Sequence, residues 1–154
     1  MGGDRRLEHQ MSSVRNSARW EHFSHGSDIG VRGFGCSVEE AFEQAAVGLT
    51  AIVADVSRIE ESETVDVRCD APDLELLLVN WLNAIIYEMA VRMMLFKKFR
   101  VATSGCSLTG TLVDEKVDPI RHQVGVEAKG VTVTALRVQC EQNGQWLAQC
   151  VVDV

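Results

Sequence analysis

Positive charge is scarce in this 154-residue chain: 15 lysines and arginines stand against 22 aspartates and glutamates, a net charge of −7. A domain that grips nucleic acid by neutralising phosphates carries the opposite balance. Any RNA in its function is therefore expected to be held by a partner. Paired cysteines are lacking as well. Cys36, Cys69, Cys106, Cys140 and Cys150 are odd in number, widely scattered and contain no CxxC, which argues against a disulfide framework or a zinc knuckle. Four of the five fall on positions that read as strand or strand edge, where a free thiol packs as a small hydrophobe, and a reducing cytoplasm fits that usage. No apolar run reaches the roughly 20 residues of a bilayer span. The longest candidate, Leu74 to Leu95, is interrupted by Asn80, Asn83, Glu88 and Arg92 and reads as a core helix, with no membrane partner. Catalytic signatures are missing too. There is no G-x-S-x-G, no Walker loop and no H-x-x-x-H or H-E-x-x-H, and Gly33-Phe34-Gly35 lacks the third glycine of a dinucleotide loop. Motifs alone name no enzyme.

What is present is ordinary globular composition, 46% hydrophobic and 24% charged, in a length that suits one domain with a real core. Residues 1–19 carry four arginines against Asp4 and Glu8, with several Gly and Ser and no apolar period. They read as a disordered tail, its opening an addition ahead of a native start near Met11, and the domain is expected over 20–154. From Trp20 to Phe34 two short strands flank the turn His25-Gly26-Ser27-Asp28. Ser37 and Glu40 then form a capping box, and Val38, Ala41, Phe42, Ala45, Ala46, Leu49, Ile52, Val53 and Val56 repeat along one helical face. Val65, Val67 and Cys69 alternate as a strand, Pro72-Asp73 announces a second helix, and Leu74, Leu77, Leu78, Trp81, Leu82, Ile85 and Met89 line its inner face. Leu76, Val79 and Ile86 widen that surface enough to predict burial nearly all round. Alternation through Phe99–Val101, Leu108–Leu112, Val124–Ala128 and Leu136–Cys140, then an Asn143-Gly144 turn into Trp146–Val152, adds five strands. The expected fold is a single α+β domain, two helices packed on a mostly antiparallel sheet.

Side chains capable of chemistry gather in three places: the turn at His25–Gly30, the polar connection Glu115–His122, and the end, Val151-Val152-Asp153-Val154. An apolar strand running to the last residue would hold Asp153 and the terminal carboxylate in one ordered place. Oxygen donors of that kind suit a hard cation such as Ca²⁺ or Mg²⁺, although a terminal carboxylate is more often simply solvated. His22, His25 and His122 are candidate ligands, yet without ligand spacing single histidines more often make structural hydrogen bonds.

The segment Trp20–Gly35, with its H-x-x-D-I-G turn, resembles the opening of the archeases. Ser37-Val38-Glu39-Glu40-Ala41-Phe42 is similar to that family's next helix start, and Leu77-Leu78-Val79-Asn80-Trp81-Leu82-Asn83 to its second helix. Asp118, Arg121 and His122, then Lys129 and Thr132, then the terminal Asp153-Val154 complete the series in order over 20–154. Where the family commonly has Tyr-His after its Lys-Ala-x-Thr, this chain has Val133-Thr134.

The resemblance implies a non-catalytic partner of RtcB-type RNA ligases, promoting GTP-dependent guanylylation of the ligase in tRNA splicing or RNA repair, with RNA met only through the ligase. It implies a divalent cation, Ca²⁺ or Mg²⁺, held by Asp28, Asp153 and the main chain of Val154. Ligase activation would fall to Lys129 and the nearby polar residues Glu115, Asp118, Arg121 and His122. Two other readings stand beside it. One is a small metal-dependent phosphoester hydrolase using Asp28, Asp118, His122 and Asp153, which needs an open metal position and a base near its water. The other is a general chaperone or adaptor, which needs a large exposed apolar patch.

Overall fold

The computed structural model describes residues 18–53, 63–116 and 126–154. Strands β1 (Arg19–His25) and β2 (Asp28–Gly35) form a hairpin, with Gly26 supplying the positive φ of 61° in its turn. Helix α1 (Val38–Val53) begins where the capping box places it: Ser37 Oγ accepts from the Glu40 N–H at 3.2 Å. The box closes one residue early, because Glu40 Oε1 accepts from the Cys36 N–H at 3.0 Å. Strand β3 (Glu63–Asp70) leads to helix α2 (Leu74–Arg92), whose N-cap is Asp73, accepting from the Leu76 N–H at 2.8 Å. Four strands follow: β4 (Met94–Ser104), β5 (Ser107–Lys116), β6 (Gly130–Cys140) and β7 (Trp146–Asp153). The β6–β7 turn has Gly144 at φ 82°, and Asn143 Oδ1 accepts from the Gln145 N–H.

The expected α+β domain forms, and every strand pair is antiparallel, but the strands divide into two sheets, β1-β2-β7-β6 and β3-β5-β4. The helices join them. Helix α1 touches β2 and β7 of the first sheet and β4 of the second, while α2 touches β6 of the first and β3, β4 and β5 of the second. One core results, centred on Trp81, Phe42, Phe96, Leu49, Leu77 and Leu82, all fully buried. The edges of both sheets are tied down by helix side chains. Asn83 Oδ1 accepts from the Val131 N–H on β6 at 2.9 Å, and Glu43 Oε2 accepts from the Val101 N–H on β4 at 2.9 Å. Such contacts satisfy edge donors that would otherwise invite pairing.

Three expectations need correction. The Val124–Ala128 strand is not found: Val126 to Lys129 have no regular structure, with β6 starting at Gly130, and Val124 lies outside the described residues. The last member of the apolar repeat, Val56, also lies outside them, beyond the described Val38–Val53 of α1. Helix α2 is not buried nearly all round, since Leu76 in its first turn and Val91 in its last are exposed. The cysteines split: Cys69 and Cys150 are buried, Cys36 and Cys140 exposed. Burial pushes the Cys150 thiol up to about 12, so it stays protonated and inert.

The clamp on β4 carries a pH consequence. Burial raises the Glu43 carboxyl above its ordinary range, against the lowering effect of the Val101 N–H, while the Thr103 hydroxyl holds the Glu39 carboxyl below it. A raised folded-state value contributes stability that is complete below the unfolded value and lost as pH rises through the folded one. Glu39 works the other way, its contribution fading as pH falls. Glu43→Gln, which keeps the acceptor and removes the charge, is therefore expected to raise Tm at pH 7. The gain should shrink as pH falls into the carboxylate range, as thermal melts across pH would register.

Candidate functional site

The first and last described segments meet at one end of the four-stranded sheet. Strand β7 lies between β2 and β6, with Ile29 opposite Val152 and Gly130 opposite Asp153. Continuing the β2–β7 register by one residue sets Asp28 against Asp153. The end of the chain is fastened there by two main-chain contacts. The Val154 N–H donates to Asp28 Oδ1 at 3.5 Å, a long bond, and the Lys129 N–H donates to the Asp153 carbonyl at 2.8 Å. Val154 also packs its side chain against the core. These contacts order a terminus that would otherwise fray.

The sheet's alternation decides which way the carboxylates point. Val152 is fully buried and Ile29 packs on the core, so their neighbours Asp153 and Asp28 face away from it. Asp153 is exposed and Asp28 half-buried. Neither forms an ion pair among the described residues. Two carboxylates thus share a small region with no ion pair among the described residues, an arrangement a hard metal ion would relieve. The donor set fits Ca²⁺ or Mg²⁺ as a partial shell. The Asp153 carbonyl is engaged by Lys129, and no group of three or more His, Cys, Asp or Glu among the described residues is arranged to hold a metal. A bound ion would keep several positions for water or a partner's oxygens.

The other candidates fall differently. Lys129 is exposed and lies beside the tip through its main chain. Glu115 is in β5, opposite Leu95, in the other sheet from Asp28 and Asp153. Asp118, Arg121 and His122 lie outside the described residues. His25 is directly opposite Asp28 on the hairpin. His22 takes a structural role, donating from Nε2 to the Gly48 carbonyl of α1 at 2.7 Å.

Sequence reasoning missed a groove beside Lys129. It has a volume of about 470 Å³ and is walled by Met89, Met93, Leu95, Val126 and Lys129 among others. The signal was present in the excess apolar residues late in α2, which periodicity assigned to the core.

Comparison with known proteins places the chain's sequence and fold beside one family. The family model described as "Archease protein family" matches residues 20–154. The protein archease of Pyrococcus abyssi is 35% identical over 140 residues, covering 88% of this chain and 99% of that one. The Methanosarcina mazei protein archease is 33% identical over 141 residues, with 88% and 96% covered. The solution structure of Methanobacterium thermoautotrophicum protein 1598 superposes with a TM-score of 0.78 at 29% identity, covering 88% of this chain and 98% of that one.

Proposed function

The chain belongs to the archease family, and from that premise we propose that it is a non-catalytic activator of an RtcB-type RNA ligase, promoting GTP-dependent guanylylation of the ligase in tRNA splicing or RNA repair. It works in the cytoplasm, meets RNA only through the ligase, and presents Asp28, Asp153 and the end of Val154 as a divalent-cation site. Lys129 acts beside that site, with Glu115, Asp118, Arg121 and His122 extending the contact.

The observation that carries this reading is the fastening of Val154 to Asp28, residues 126 positions apart. Two outward-facing carboxylates at one sheet end are a local charge excess that no ion pair among the described residues neutralises, and a phosphoryl-transfer site with its metal ions and triphosphate is where such charge has use. A cation held there by Asp28, Asp153 and the end of Val154 would supply positive charge for phosphate oxygens. The chain's own part is to hold the Asp28 and Asp153 carboxylates at one sheet end and to keep the Lys129 main chain fastened beside them. The net charge of −7 supports leaving RNA to the ligase.

Guanylylation of a purified RtcB-type ligase by GTP, with this protein substoichiometric, tests the reading. Wild type is expected to raise the rate strongly and Asp153→Ala to lose most of that effect, with an unchanged Tm because the Asp153 side chain is exposed. Calcium titration should show the same variant binding the ion more weakly. Stimulation that survives the substitution would remove the tip from the mechanism, and no stimulation by wild type would remove the activator role.

A further inference from the structure

Exposed large hydrophobic side chains gather at one end of α2. Tyr87, Val91 and Met93 are each 60% exposed or more, and Val126 is 44% exposed. Met93 and Val126 wall the groove beside Lys129 together with Ile86, Met89 and Leu95. Apolar surface concentrated in this way marks a place where another protein binds, and a wall with Met89, Met93 and Met94 adapts to an incoming surface.

Met93 adds an independent argument. It caps α2 in the left-handed conformation, at φ 53°, with its N–H on the Met89 carbonyl. Glycine or asparagine occupies such caps readily, and a long apolar side chain is disfavoured there. A residue that strains the backbone and exposes its side chain serves neither helix nor core. Its side chain is directed at the groove.

We propose that this groove is a docking surface for a protein partner, receiving an apolar segment that carries a carboxylate placed for Lys129. On the function proposed above the partner is the ligase, and the inference rests on that reading. Charge selects the occupant. The Lys129 ammonium is exposed and forms no ion pair among the described residues, whereas Arg92 nearby is held by Glu88. Glu127, two residues earlier on the same rim, gives the opposite sign and fixes the segment's direction. Lys129 also bonds through its main chain to Asp153, so a segment leaving the groove past Lys129 arrives at the acidic tip. Docking here delivers the tip to the ligase.

The test measures ligase binding and guanylylation for two groove variants. Met93→Asn puts a residue that favours the left-handed cap in place of the apolar wall, and Val126→Glu charges an exposed position. Should either lower Tm, the other carries the experiment. Each is expected to weaken Kd by ~10-fold, equivalent to about 1.4 kcal/mol, and to raise the concentration for half-maximal stimulation by the same factor. Stimulation at saturation stays at the wild-type level because the tip is intact. Val133→Asn, on the β6 surface and outside the groove, should change nothing. Wild-type Kd in both groove variants would overturn the proposal while leaving the activator reading standing. Binding that is lost in the variants, from a wild type that does not stimulate, would uphold the groove and sink the activator reading. A wild type that does not bind overturns the proposal.

Discussion

Replacing Trp81 with alanine is expected to remove roughly 3–5 kcal/mol of stability, the range for deleting a large buried aromatic. That is a large share of the ~5–15 kcal/mol a domain of this size possesses. The side chain is fully buried between the other helix and the second sheet. Its ring presses on Gly110 of β5, where a Cβ would lie only 2.2 Å from Trp81 Cζ3, and it packs edge-on to Phe99 of β4 at 6.0 Å between centroids. Its Nε1–H donates to the Phe42 carbonyl of α1 at 3.1 Å. One residue of α2 thus links the other helix to two strands of the second sheet, and the cavity left by alanine has rigid walls on three sides. Trp81→Phe keeps part of the volume and loses the hydrogen bond, so it should fall between alanine and wild type. Urea unfolding of the three proteins checks the order, and an alanine variant within 1 kcal/mol of wild type would mean the core collapses around the gap.

Local chemistry was readable from the sequence wherever it depends on neighbours along the chain. Ser37 with Glu40, Asp73 after Pro72, and Asn143-Gly144 each mark an element end through contacts spanning a few residues, and each is found in place. Distant pairings were not readable in this way. That the strands split between two sheets follows from β5 pairing back to β3 across the whole of α2, which no local pattern encodes. Periodicity identified α2 but could not say how much of its apolar surface another element would cover, so the exposure of Leu76, Val91 and Met93 was not foreseen. Family resemblance supplied the tip: composition alone left Asp153 and Val154 as a solvated end, and the strand register then gave Asp28 as their neighbour. Of the residues assigned to ligase activation, Glu115 and Lys129 are within the described residues.

Gly33→Ala should be the most damaging single-methyl addition in the first sheet. A Cβ at Gly33 would lie 2.2 Å from the Ala41 carbonyl oxygen and 2.4 Å from the Ala45 nitrogen, both backbone atoms of α1. Backbone in a packed helix has nowhere to retreat, so α1 must lift from β2. We expect a loss of about 3 kcal/mol or more, at or beyond the upper end for overpacked cores. Gly30→Ala is the informative contrast. Its Cβ would meet the Phe23 ring at 2.1 Å, a closer approach on paper, but the ring is a side chain on the edge strand β1 and can swing outward. Its stability loss should be smaller than that of Gly33→Ala. Its functional loss should be the larger relative to stability, because Phe23 covers the hairpin two residues from both His25 and, through Gly30, Asp28. Thermal melts paired with guanylylation assays separate the two effects. If Gly30→Ala melts as low as Gly33→Ala, the Phe23 ring is fixed as firmly as backbone. If it melts higher but still stimulates fully, the geometry of Asp28 does not depend on how the hairpin is packed.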